Sequence, residues 1–178
     1  MRKRGCLLAL AAGAALSVGA PAHAQTSETA VKAAFLPRFA RYVTWPPGAL
    51  PKAGDPFVLC VVGGDPFGSA LDQAARTQSV DGRRIAVRRV ASAASAGGCH
   101  IAFIQGSHAQ PPGQLLAGFG RRPVLTVTDA SNGGQRGIIH FSIVSGRVRF
   151  SIDEAAASQR GLGISSRLLA LAIGVRQR

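Results

Sequence analysis

The sequence predicts a single α/β domain, in which a mostly parallel sheet is flanked by helices and carries an antiparallel C-terminal hairpin. Phe57 to Gly63 is a short, Val-rich apolar run with turn residues at both ends, which is typical of a strand buried on both faces of a parallel sheet. Similar runs alternate with stretches of helical spacing, and two alternating runs then meet at Ser145-Gly146. That order favours the α/β class, and 178 residues fit one domain.

The first 24 residues have the parts of a secretory signal peptide. Arg2-Lys3-Arg4 is a charged region, Cys6 to Ala20 is apolar, and Ala22-His23-Ala24 places small residues before a cut at Gln25. The apolar run is shorter than the ~20 residues of a membrane-spanning helix, so a cleaved signal is favoured over a retained anchor. We therefore expect an exported domain spanning residues 25–178.

The chain is strongly basic, with a formal charge of +13 that falls to +10 when the three basic residues of the signal are removed. In a cytosolic protein this charge would suggest nucleic acid. For an exported chain we expect no nucleic-acid partner. A solvated Arg-rich surface is favoured over an anionic partner or a membrane surface.

The first predicted helix runs from Glu28 to Val43, with Thr26 or Ser27 as its cap and a kink at Pro37. Trp45 follows its end. We expect this single tryptophan to pack against the core, and the alternative is an anchor for a partner.

Six further elements are predicted from the hydrophobic spacing. Five lie between the central strand and the hairpin, and one follows the hairpin. These are a helix from Pro66 to Ala75, an edge-type strand from Arg84 to Val90, a strand from Cys99 to Gln105, a helix from Pro111 to Phe119, a strand from Pro123 to Thr128, and a helix from Ile164 to Val175.

Ile138 to Val144 and Arg147 to Asp153 are predicted to pair across Ser145-Gly146. In that register six apolar residues share one face and five polar residues share the other. The apolar pairs are Ile143 with Val148, Phe141 with Phe150, and Ile139 with Ile152; the polar residues are His140, Ser142, Arg147, Arg149 and Ser151. We expect His140 to be solvated, and the alternative is a contact with a partner.

Removal of Cys6 with the signal leaves Cys60 and Cys99. An even pair in an oxidising compartment predicts a disulfide. The sequence has no Cys-x-x-Cys motif, so it gives no sign of a redox enzyme.

No segment predicts catalysis, a cofactor or a metal site. The glycines between Gly63 and Gly68 lack the spacing of a phosphate-binding loop, and no Lys-Ser/Thr follows them. His100, His108 and His140 form no zinc motif, and His100 is expected to be structural. The sequence contains no nucleophile elbow, and its acidic residues are scattered.

Six stretches resemble the YfiR family, in order over nearly the whole mature chain. They are Val31 to Leu36 with Phe39 to Pro46, Cys60 to Gly63 with Asp65 to Phe67, Cys99 to Ile104, Val124 to Asp129, Gly146 to Phe150, and Gly161-Leu162 with Ile164 to Leu169. The resemblance implies a periplasmic protein. The best-understood members bind the periplasmic part of an inner-membrane diguanylate cyclase and hold it inactive, which lowers cyclic-di-GMP and biofilm formation. The family's paired cysteines coincide with Cys60 and Cys99.

The resemblance thus predicts a non-enzymatic regulator whose partner is the periplasmic domain of a diguanylate cyclase or a histidine kinase. Departures from the family pattern include Pro37-Arg38 in the first helix and His140 in the hairpin. Arg147, Arg149, His140 and Trp45 are the candidate partner-binding residues, and a homodimer is left open. The rival is a small-ligand sensor or carrier with a pocket near Gly63-Gly64 and Asp129; an exported enzyme ranks third.

Overall fold

The computed structural model describes residues 22–107 and 110–177, without the side chains of 22–27 and 132. The predicted signal peptide therefore lies outside the described residues except for positions 22–24. Within the described residues the helices are α1 Ala22–Phe39, α2 Ser69–Arg76, α3 Pro112–Ala117, α4 Glu154–Gln159 and α5 Ser166–Leu169. The strands are β1 Val43–Thr44, β2 Phe57–Gly63, β3 Ser79–Val80, β4 Arg83–Val90, β5 Ile101–Gly106, β6 Leu125–Asp129, β7 Ile139–Val144, β8 Arg147–Asp153, β9 Gly163–Ile164 and β10 Val175–Arg176.

Eight strands form one mixed sheet in the order β10-β8-β7-β6-β5-β2-β4-β3, and β1 pairs with β9 separately. The core of the sheet, from β4 to β7, is parallel, and β7 and β8 are antiparallel. This confirms the predicted α/β class. It also confirms β2 as an interior strand, because β2 pairs with both β4 and β5.

The two faces of the sheet are covered differently. The front face packs against α1 and α2, and Leu59, Phe103 and Phe141 are fully buried there. The back face is covered by α3 and the loop before β5, where Leu115 and Phe119 pack over β2 and β5.

The hairpin has the predicted register. Ile143 lies opposite Val148, Phe141 opposite Phe150, and Ile139 opposite Ile152. The turn residues Ser145 and Gly146 have φ angles of 49° and 69°, as a two-residue type I′ turn requires. The shared apolar face is not buried along its whole length, because Ile143 at the tip is 41% exposed.

The first helix differs from the prediction at both ends. It begins at Ala22, so the expected caps Thr26 and Ser27 lie inside it, and it ends at Phe39, two residues after the predicted Pro37. Residues 40–42 form a 3-10 turn, and Val43 pairs with Ile164 in the small sheet.

The predicted helix from Ile164 to Val175 is wrong. Only Ser166–Leu169 is helical, while Val175 lies in β10 beside Ile152 of β8. Leu171, expected to face the sheet, is 62% exposed. The chain instead forms a helix earlier, α4, whose first turn is capped by Asp153 through a 2.9 Å bond from the Ala156 N–H.

Candidate partner-binding surface

The β7-β8 hairpin extends past the edge at which the parallel strands end. The last residue of β6, Asp129, pairs with Phe141, and β7 continues three residues further to Val144. At about 3.3 Å per residue this extension is roughly 10 Å long. The tip of the hairpin therefore stands clear of the sheet and presents both of its faces.

The front side of the tip is apolar. Phe35 of α1 contacts both Phe141 and Phe150, with ring centroids 6.2 and 5.9 Å apart. Val31 lies one helical turn before Phe35 on α1, and the next apolar pair of the hairpin toward its tip is Ile143 and Val148. Val31 is 38% exposed and Ile143 is 41% exposed. We call Val31, Ile143 and Val148 the tip patch.

The back side of the tip is basic. Arg147 and Arg149 are both exposed. Neither makes an ion pair or a side-chain hydrogen bond within the described part of the chain. The hairpin tip thus has the tip patch on its front face and the guanidinium groups of Arg147 and Arg149 on its back face.

His140 lies on the same face as these arginines but is buried, with 4% of its surface exposed. Its Nδ1 is 2.8 Å from the hydroxyl of Thr128 on the neighbouring strand. Burial, together with the nearby positive charge of Arg136, lowers the pKa of His140. The prediction of a solvated His140 is therefore wrong.

Trp45 lies at the opposite edge of the sheet from the hairpin tip, since it packs on Phe57 at the start of β2. The two rings meet edge to face with centroids 4.9 Å apart, and Trp45 is 5% exposed. This confirms the expected core packing. The structure brings Arg147 and Arg149 together, but it does not bring Trp45 to them.

The groups expected to line a small-ligand pocket at the strand ends are engaged within the chain. Asp129 forms an ion pair with Lys32. Gly63 has φ of 88°, and a Cβ there would lie 2.9 Å from the backbone nitrogen of Gly106. β2 and β5 thus approach each other closely at this point.

Cys60 and Cys99 are bridged, with Cα atoms 5.9 Å apart, which confirms the predicted disulfide. His100, next to Cys99, is buried and stacks on Phe57 at 4.3 Å. Its Nδ1 accepts a 3.0 Å hydrogen bond from the Val58 N–H. His100 therefore has the structural role expected of it, joining the start of β5 to β2.

The described residues contain no group of three or more His, Cys, Asp or Glu side chains placed to hold a metal ion. Among the helices of residues 22–107 and 110–177, none has the length and apolar character needed to cross a membrane.

The profile of the YfiR/HmsC-like family matches residues 29–173 of the 178-residue chain. The chain belongs to the YfiR/HmsC-like family. A comparison with curated proteins gave no match. The matched residues include α1 from residue 29 onward, strands β1 to β9, and both cysteines of the disulfide.

The tip patch of this YfiR/HmsC-like protein was not predicted from the sequence. Ile143 and Val148 alternate like buried residues, and Val31 fits the apolar stripe of α1. Their exposure arises because the hairpin is longer than its neighbour β6, and the apolar pattern alone carries no signal of that difference.

Proposed function

We propose that this YfiR/HmsC-like protein is a periplasmic, non-enzymatic regulator. It binds the periplasmic part of an inner-membrane diguanylate cyclase and represses it, so that cyclic-di-GMP falls. Family membership supports this role. The observation that supports a location for the binding surface is the exposure of the hairpin tip. There the tip patch lies on one face of the hairpin, and Arg147 and Arg149 lie on the other.

The tip has the composition of a protein interface. Such interfaces combine an apolar centre with a polar rim, and arginine is enriched in them. Val31 and Ile143 supply apolar area that is open to solvent in the isolated chain. Arg147 and Arg149 supply positive charge without an internal partner, which favours an acidic patch on the bound protein.

The hairpin is also well anchored, so binding costs little ordering of the backbone. Phe141 and Phe150 are buried under α1, where Phe39 contacts both rings at 5.8 and 5.3 Å. The tip is therefore a short extension of a packed core.

Export to the periplasm is supported by the signal-like segment before residue 25 and by the disulfide, which is typical of an oxidising compartment. The proposed interface depends on Arg147 and Arg149. His140 and Trp45 are buried, and either residue would have to be uncovered to contact a partner.

The test is binding of the purified protein to the periplasmic domain of a membrane cyclase encoded beside it. The double variant Arg147→Glu with Arg149→Glu is expected to weaken binding at least tenfold while the melting temperature stays unchanged, because exposed charges contribute little to stability. Cellular cyclic-di-GMP should rise in the strain that carries this variant.

The matched control is Arg84→Glu with Arg121→Glu, which makes the same change in net charge at two exposed positions distant from the hairpin. Equal loss of binding in both double variants would refute the proposed interface. Binding to the periplasmic part of a neighbouring histidine kinase, and not to the cyclase, would overturn the cyclase as partner.

A further inference from the structure

A cavity of about 630 Å³ opens on the back of the hairpin, away from its tip. It lies between the loop that precedes β7, the inner ends of β7 and β8, and the segment that leads into β10. Its polar lining comprises Arg136, His140, Ser151, Asp153 and Arg176. The volume lies within the range of sites that hold small molecules.

Within the described chain, His140 uses only one of its ring nitrogens for hydrogen bonding. The Thr128 hydroxyl oxygen accepts a 2.8 Å hydrogen bond from the Gly137 N–H, and the same oxygen lies 2.8 Å from His140 Nδ1. When the Thr128 hydroxyl donates to Nδ1, the neutral imidazole carries its proton on Nε2. Among the described residues nothing accepts that Nε2–H, and His140 lines the cavity.

The charged groups of the cavity leave a net positive character. The carboxylate of Asp153 is already used, because one oxygen accepts from the Ala156 N–H and the other pairs with Arg176. Asp153 therefore neutralises part of the charge of Arg176 and holds it at the cavity. Arg136 is exposed and has no ion pair within the described chain.

We propose that this cavity binds a small anion, a carboxylate or a phosphate, which accepts hydrogen bonds from His140 Nε2–H and from Arg136. Arg176 also lines the cavity, and Asp153 offsets part of its charge, so the three charged groups together leave a net charge of about one positive unit. His140 and Arg136 both line the cavity, and among the described residues neither His140 Nε2 nor the Arg136 guanidinium has a hydrogen-bond acceptor. A negatively charged acceptor makes the stronger bond with a guanidinium. The site is separate from the tip surface and does not depend on the proposed regulatory function.

The experiment is calorimetric titration of the purified protein with three probes: succinate, inorganic phosphate and the neutral succinamide. We expect saturable one-to-one binding of succinate or of phosphate and none of succinamide. Whether succinate or phosphate binds then identifies the class of anion as a carboxylate or a phosphate. In proton NMR spectra the ring protons of His140 should shift as the probe is added, and assignment by His140→Asn identifies the signal.

Arg136→Gln is expected to weaken binding about tenfold or more, as loss of a hydrogen bond to a charged group does. Arg121→Gln is the control, because it removes the same charge from an exposed arginine outside the cavity. Arg136 is exposed, so its substitution leaves folding intact, and a melting curve checks this.

Three results would overturn the proposal. The first is the absence of saturable binding of both anions. The second is an equal loss of affinity in Arg136→Gln and Arg121→Gln, which would indicate only long-range attraction to a basic protein. The third is binding that leaves the ring protons of His140 unshifted.

Discussion

The Nζ of Lys32 lies 2.6 Å from Oδ2 of Asp129, joining helix α1 to the end of β6. The side chains are 12% and 6% exposed, so this ion pair is largely removed from water. Burial alone would raise the pKa of Asp129, but hydrogen bonds from Lys32 and from Ser131 outweigh it and hold the pKa below its usual value.

Substituting only one partner of this ion pair should lower the free energy of unfolding. In Lys32→Met the carboxylate of Asp129 stays buried without its cation, and the loss expected for such a pair is about 3–5 kcal/mol in the free energy of unfolding. Lys32→Met combined with Asp129→Leu should recover much of that loss. Urea unfolding of the two single variants and the double variant measures the coupling, and additive losses would show that the pair is not coupled.

The Lys32–Asp129 ion pair should also make the stability of the protein depend on pH. Because the folded pKa of Asp129 is lowered, its contribution to stability is present above the unfolded pKa of about 3.9 and is lost as the pH falls through the folded value. The difference in stability between the wild type and Asp129→Asn should therefore shrink below pH 4. Urea unfolding at pH 6 and pH 3 measures it, and a difference that is the same at both values would contradict this assignment.

The elements that the sequence predicted correctly are those whose pattern is local. Phe57 to Gly63 is apolar throughout because β2 is buried on both faces, and Ser145-Gly146 sets the register of the hairpin through its own turn geometry. Ile164 and Val175 instead take up strand pairing with Val43 and Ile152. Those partners are distant in sequence, so helical spacing was a misleading guide there.

The candidate site was predictable only in part. The exposure of Arg147 and Arg149 follows from alternation along β8. The burial of His140 does not, because it depends on a loop in which the Gly137 N–H bonds to Thr128 of the neighbouring strand. The cavity beside His140 likewise needs Arg176, which β10 brings to β8.

Removal of the disulfide should destabilise the protein strongly. Cys60 and Cys99 are 39 residues apart and both buried, and closing a loop of that length contributes about 4 kcal/mol in the chain-entropy model. Cys60→Ala with Cys99→Ala is expected to lower the melting temperature by on the order of 10 °C. Thiol titration of denatured, unreduced protein provides the check, and two free thiols per chain would show that the bridge does not form.

His100 should make stability depend on pH in the mildly acidic range. Burial lowers its pKa, although a hydrogen bond with the backbone of Ala49 acts in the opposite direction. The bond that Nδ1 accepts from the Val58 N–H is lost when the ring is protonated, which also favours the neutral form. The unfolded chain, with an ordinary pKa of about 6.5, then binds the proton more readily. The stability from this residue is complete above that pH and declines as the pH falls below it.

The test for His100 compares urea unfolding at pH 7.5 and pH 5. His100→Asn keeps an acceptor near the Val58 N–H but does not titrate in this range. The variant should lose less stability than the wild type between the two pH values. If both proteins lose the same amount, the acid sensitivity originates elsewhere, and His140, whose pKa burial also lowers, becomes the residue to substitute.

The tip patch supports the last prediction, which separates binding from folding through one side chain. Ile143 is 41% exposed at the end of the hairpin and lies outside the core cluster, so Ile143→Ser leaves the core intact and should lower the melting temperature by only a few degrees, about 2–4 °C for each kcal/mol lost. If Ile143 lies at the centre of the interface, the same change should weaken partner binding about tenfold, since such central contacts contribute more than 1 kcal/mol.

Leu50 is also 41% exposed, in the loop before β2 and far from the tip, and Leu50→Ser is therefore the matched control. Binding is measured against the periplasmic domain of the cyclase. Weakening by Leu50→Ser and not by Ile143→Ser would place the interface at the opposite edge of the sheet.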